Sequence, residues 1–133
     1  MQKYFDLIYT FDYHYRMSIS KNDTNNSRLS HIERELFKGF IRIHILHHAS
    51  EGKVFGQALK SELERHGYSL SYGTLYPLLH KMERENLLSS ERSTVAGKVR
   101  KYYRITEEGR GMLAKAKEYI HELVDEVLGE GCP

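Results

Sequence analysis

A chain of 133 residues, 40% hydrophobic and 29% charged, is long enough to bury one core and too apolar to be disordered throughout. Its formal net charge is only +2, but residues 71–105 hold seven Lys/Arg against three Asp/Glu, and residues 106–133 hold three against seven. No apolar run approaches the ~18 residues that span a bilayer, no secretory signal pattern opens the chain, and the single Cys132 cannot form an internal disulfide; no membrane partner and a reducing cytoplasm are expected.

Residues 1–16 crowd aromatics (Tyr4, Phe5, Tyr9, Phe11, Tyr13, Tyr15) without a clean period. Two readings stand. One is a strand or short helix that packs on a partner subunit; the other is dispensable sequence ahead of Met17 as an alternative start. Residues 18–30 are rich in Ser, Asn and Asp, the composition of a flexible linker. Residues 1–30 therefore read as an N-terminal extension and linker.

A helix is predicted from about Ile32 to Ser50. Leu36, Phe37, Phe40, Ile41, Ile43, Ile45 and Leu46 cover more than one stripe of it, so it should be buried on two sides, one against its own core and one against a partner subunit. Gly52 is placed to end it as a C′ glycine. A second helix is predicted from about Lys53 to His66, with Val54, Phe55, Ala58, Leu59 and Leu63 inward and Gly67 as terminator. After a short turn, Leu75, Leu78, Leu79 and Met82 recur at i, i+3, i+4, i+7, one apolar face of a third helix. Its other face carries Gly73, Pro77, His80, Lys81 and Arg84, with Tyr76 at the margin. Ser71 or Thr74 is the N-cap. With Ser71, Pro77 forfeits a bond to Gly73; with Thr74, it lies in the first turn at little cost.

Helix, glycine-containing turn, helix is a helix-turn-helix unit. Two β-compatible runs around Val95-Ala96-Gly97-Lys98 then read as a hairpin, with Val99, Lys101, Tyr103 and Ile105 on one face and Arg100, Tyr102 and Arg104 on the other. A basic hairpin after such a unit is a wing. Thr106 caps a last helix running to about Leu128, weakened by Gly109 and Gly111. Its Leu113, Ala116, Ile120, Leu123 and Val127 are spaced 3, 4, 3, 4, a short heptad-type seam. The expected fold is mainly α with a small β-hairpin: residues 31–105 a winged helix-turn-helix and residues 106–133 a C-terminal dimerisation helix and tail.

The residues Ser71-Tyr72-Gly73-Thr74-Leu75-Tyr76-Pro77-Leu78-Leu79, with Met82-Glu83 and Leu87-Leu88, resemble the core signature of the PadR family of bacterial transcription regulators. Lys101 to Gly109 is similar to a second signature, and Lys38-Gly39-Phe40 through Ile45-Leu46 to the first helix of the family. The resemblance covers roughly residues 33–128 and implies a winged helix with a dimerisation helix, in the compact subclass with one short C-terminal helix. Two departures stand out. Phe55-Gly56-Gln57 lies where members show a Gly-Tyr pair, and residues 1–30 exceed the usual lead-in.

The expected function is sequence-specific binding of double-stranded DNA as a homodimeric repressor on an inverted repeat. Ser71, Tyr72, Gly73 and Thr74 would lie nearest the major groove, with Tyr76 split between core and phosphate contact. His80, Lys81 and Arg84 would reach phosphates or a base edge, and Lys98, Arg100 and Lys101 of the wing would track the backbone. Phe40, Ile43, Leu113, Ala116, Ile120, Leu123 and Val127 are the dimerisation candidates. The resemblance implies an effector-released repressor that responds to a small aromatic or lipophilic compound through a cavity at the dimer interface, although a dry interface fits the same residues.

No phosphate loop, nucleophile elbow or HExxH motif points to an enzyme, and no cofactor is expected. A winged helix used only for protein–protein contact is the alternative, and the basic wing argues against it. His44 and His48, at i, i+4 beside His47, have metal-chelating spacing, so a metal-responsive repressor is a further alternative. Solvated or interfacial histidines are the simpler reading. Cys132 has no basic neighbour to activate its thiol.

Overall fold

The computed structural model describes residues 27–129. Both readings of residues 1–16 lie outside them. Helix α1 spans Ser27–Glu51, strand β1 Val54–Phe55, helix α2 Gly56–Arg65, helix α3 Tyr72–Arg84, strand β2 Leu88–Val95, strand β3 Lys98–Ile105 and helix α4 Glu107–Leu128. The sheet order is β1-β3-β2, antiparallel throughout. The arrangement is a winged helix: three helices, a hairpin wing and a long terminal helix that packs back on α1.

Helix α1 begins inside the polar stretch read as linker. As its composition predicts, it is two-sided. Ile41, Ile45, Leu46 and Ala49 are buried, while Ile32, Leu36 and Phe40, spaced four apart, are exposed. Gly52 is not the left-handed C′ residue expected of it; among the described glycines only Gly67 and Gly97 have positive φ. The second helix also starts later than its apolar spacing suggests. Val54 and Phe55 pair with Tyr103 and Tyr102 as a third strand, and only Gly56–Arg65 is helical. β-branched and aromatic residues there suit a strand, and only the wing's folding supplies the partner.

Helix α2 ends as a Schellman motif. The Tyr68 N–H donates to the Leu63 carbonyl (2.9 Å) and the Gly67 N–H to that of Glu64 (3.0 Å), with Gly67 at φ +90°. The same motif closes α3, where Leu87 donates to Met82 (2.9 Å) and Asn86 to Glu83 (3.0 Å), with Asn86 at φ +59°. The wing turns at Ala96 and Gly97, φ +51° and +76°, the two positive values of a type I′ turn. Thr106 is the N-cap of α4 as read from the sequence. Its hydroxyl accepts from the Gly109 N–H at 3.0 Å and donates to the Asn86 carbonyl, tying α4 to the base of the wing.

One apolar core joins all four helices and the sheet: Ile41, Ile45, Leu46, Ala49, Leu59, Leu63, Leu75, Leu79, Met82, Leu88, Tyr103, Ile105 and Leu113. The ion pairs between side chains are mostly at the surface and one helical turn apart, where solvent screening leaves them little to contribute. Burial of the core therefore supplies most of the stability. No described helix is long and apolar enough to cross a membrane.

Candidate nucleic-acid interface

The inner face of helix α3 is turned into the core: Leu75, Leu79 and Met82 are each 0% exposed and Leu78 is half-buried against them. Its outer face is open. Ser71, Tyr72, Gly73, Thr74, Tyr76, Pro77, His80, Lys81 and Arg84 are all exposed. The 3.6-residue period thus separates the apolar from the polar and aromatic residues as expected.

Ser71 is the N-cap, with extended φ −77°, ψ 157°. Its hydroxyl does not accept from a backbone N–H; it lies 3.2 Å from the Thr74 hydroxyl, while the Ser71 carbonyl takes the Thr74 and Leu75 N–H groups at 3.1 and 3.0 Å. Pro77 is therefore inside the helix and leaves the Gly73 carbonyl without its helical donor.

Three rings run along the outer face one turn apart. Tyr72 and Tyr76 stack with centroids 5.7 Å apart at 26°, and Tyr76 meets His80 at 6.4 Å and 38°. Tyr76 is held from below by Gly56, where a β-carbon would stand 2.7 Å from the Tyr76 Oη. Lys60 of α2 places its ammonium 5.4 Å from the Tyr72 ring centre and bonds to Glu64. The Glu64 hydrogen bond raises the Lys60 pKa, with the Glu64 charge and Tyr72 adding to it. Nothing in the sequence ties Lys60 to the front of α3, which it joins only once α2 and α3 pack.

The wing cations are used unequally. Lys98, at the tip, is exposed and has no carboxylate within ion-pair distance among the described residues. Arg100 lays its guanidinium 4.6 Å from the Phe55 ring centre. Lys101 is half-buried. It lies 3.5 Å from Glu83 of α3 and 5.3 Å from the centre of the Tyr103 ring, so it braces the wing against the helix rather than reaching outward. Tyr102, on the face opposite Tyr103, is buried by an edge contact with Phe55 (5.6 Å) and by Lys53 above its ring (4.8 Å). On α3, Lys81 lies 3.9 Å from Glu85, while Arg84 is exposed.

The dimerisation candidates divide. Leu113 is 6% exposed within its own chain's core, because the first turns of α4 pack on the base of the wing. Ile43 and Ala116 are half-buried, and Phe40, Ile120, Leu123 and Val127 are exposed.

His44 and His48 are joined by His66, the C-cap of α2, which the sequence reading left out because it is eighteen or more positions away. Burial pushes the His44 pKa down to about 4, aided by His66, His48 and His47; burial first and His47 second lower that of His48.

The sequence model of the Transcriptional regulator PadR-like family matches residues 45–115. The chain is 48% identical over 96 residues to the transcriptional regulator Rv3488 of Mycobacterium tuberculosis, covering 72% of this chain and 90% of that one. The chain belongs to the PadR-like family. The fold agrees. A PadR family regulator from Eggerthella lenta superposes with a TM-score of 0.64 at 36% identity, over 77% of this chain and 93% of that one. A PadR-like regulator from Bacillus cereus gives 0.62 at 32%, over 71% and 96%. The PadR-like assignment makes this chain a transcriptional regulator and not an enzyme.

Proposed function

We propose that this PadR-like regulator binds double-stranded DNA in a sequence-specific way as a homodimer, and that it represses transcription from an inverted-repeat operator in the cytoplasm. The observation that carries this reading is helix α3, whose inner face packs into the core and whose outer face is exposed, preceded by a helix-turn-helix turn and followed by a basic wing. The N-terminal residues Ser71 to Thr74 enter the major groove. Tyr76, His80, Lys81 and Arg84 continue along it, Lys98 reaches the backbone, and Arg100 does so from its seat on Phe55. Lys101 acts indirectly by fixing the wing's angle.

Ile32, Leu36 and Phe40 of α1, with Ile120 and Leu123 of α4, are large apolar side chains left exposed on these two helices, which supports pairing through α1 and α4. A two-fold dimer then sets two α3 helices about 34 Å apart, one DNA turn. An aromatic or lipophilic effector would enter where α1 and α4 meet their copies. A gel shift with the promoter region of the protein's own operon tests the reading. A shift at low salt that disappears in a Lys98→Ala/Arg84→Ala variant supports it, and no shift at low salt refutes it.

A further inference from the structure

The ring nitrogens of His44, His48 and His66 meet where helix α1 crosses the end of helix α2; one donor atom from each lies within 4.8 Å of the others. His44 and His48 share one face of α1. His66 is delivered to them by the Schellman turn that ends α2. The rings of His44 and His66 stack at 4.6 Å, and His48 stands 6.5 and 6.1 Å from them.

Ring stacking accounts for the His44–His66 contact. It does not account for the Nε2 of His48, which is buried without a hydrogen-bond partner. Its other nitrogen, Nδ1, lies 3.9 Å from a Glu51 carboxylate oxygen. The Glu51 carboxylate, too distant here for a hydrogen bond, stands on the side of the ring where an outer carboxylate orients a metal-binding imidazole. A buried polar atom left without a partner costs free energy unless something fills its lone pair.

We propose that His44, His48 and His66 bind a divalent transition-metal ion of the zinc class, with Glu51 orienting His48. A donor set of imidazole nitrogens suits zinc, cobalt, nickel or copper and does not suit magnesium or calcium, which take oxygen. Burial lowers the pKa of both His44 and His48, which favours the neutral form that coordinates. Small rotations of the three side chains close the remaining gap to nitrogen–metal bonds of about 2.0–2.1 Å.

The position of the site gives it a consequence. It links α1, whose outer face carries Ile32, Leu36 and Phe40, to the residue that opens the turn into α3. A bound ion fixes the recognition helix relative to the dimer helix and so acts as an effector of DNA affinity. This second half rests on the DNA-binding reading; metal affinity does not. A neighbouring set, His47, His48 and Glu51, shares His48 but is more exposed and mixes donors, so the test must separate the two.

The test is calorimetric titration of the chelator-stripped full chain with Zn2+, with Co2+ absorption as a second readout. The expected result is one ion per chain, weakened about a hundredfold or more by His44→Gln or His66→Gln and about ten- to hundredfold by Glu51→Gln. His121→Gln, on the exposed part of α4, leaves it unchanged. No binding, or binding that survives His44→Gln and His66→Gln but fails in His47→Gln, overturns the site. Should a variant unfold, cobalt-shifted imidazole resonances in the wild-type chain decide: a shifted His66 supports the site and an unshifted one overturns it. For the regulatory half, Zn2+ should change DNA affinity by about 5- to 150-fold, and not in His66→Gln. Zinc binding with unchanged DNA affinity overturns that half, whereas zinc binding with no DNA binding counts against the proposed function alone.

Discussion

The phenol ring of Tyr76 rests on the backbone of Gly56: a β-carbon at Gly56 would lie 2.7 Å from the Tyr76 Oη and 2.8 Å from its Cζ. Glycine at the start of α2 thus sets the height of the middle ring in the Tyr72–Tyr76–His80 row. The obstruction is the end of a side chain, which can swing away. Gly56→Ala should therefore keep the fold, with unfolding free energy within about 1 kcal/mol of wild type, since alanine also favours the helix. It should lower DNA affinity about tenfold, ~1.4 kcal/mol. A chemical-denaturation curve and a fluorescence-anisotropy titration on the same variant separate the two effects.

Gly109 is a harder case. A β-carbon there would stand 2.2 Å from the Leu87 carbonyl oxygen and 2.7 Å from Ile105 Cγ1, and backbone cannot step aside as a side chain does. Gly109→Ala should cost about 1–3 kcal/mol through overpacking, although glycine weakens a helix interior elsewhere. Thr106→Ala, which removes the cap and its link to Asn86, should cost about 1–2 kcal/mol. Urea midpoints of both variants check this joint between the wing and α4.

Tyr103 is fully buried and its hydroxyl has no hydrogen-bond partner. Burial, then the Glu83 charge and Tyr76, push its pKa up to about 12 from 10.0. The folded protein therefore resists ionising a group that the unfolded chain ionises earlier. Its contribution is complete below pH 10 and is lost as pH rises through 12. Tyr103→Phe should be neutral or slightly stabilising at pH 7, because it removes an unsatisfied polar atom. It should also flatten the loss of stability between pH 10 and 12, as followed by thermal melts across that range.

Leu113 and Leu123 lie on the same heptad-type seam, yet they should behave differently. Leu113→Ala opens the chain's own core and should cost about 2–5 kcal/mol. Leu123→Glu, at an exposed position, should leave the fold intact and break the proposed dimer. Light scattering of the two variants beside their melting curves distinguishes core from interface.

These cases show what was legible in the residues and what was not. Local periodicity revealed the two faces of α3, the hairpin around Ala96-Gly97, the Thr106 cap and the Gly67 terminator, because each depends on near neighbours in the chain. Tertiary pairing hid the rest. Val54–Phe55 become a strand only beside Tyr102–Tyr103. Lys101 finds its carboxylate partner only because Glu83 stands on another element, and Lys60 reaches Tyr72 only across a helix boundary. The inward register of Lys101 was visible in the alternation of β3, but its partner was not. Similarly, Pro77 left the start of α3 open between two caps, and the chain resolves it in favour of Ser71.

The most direct measurement is an anisotropy titration of the full chain with labelled duplex from its own promoter, repeated from 50 to 200 mM salt. The predicted result is saturation at two chains per inverted repeat, with affinity falling about 10³- to 10⁵-fold over that range as six to ten phosphate contacts are screened. Absence of binding at 50 mM salt, or equal affinity for a scrambled duplex, would contradict a DNA reader built on helix α3.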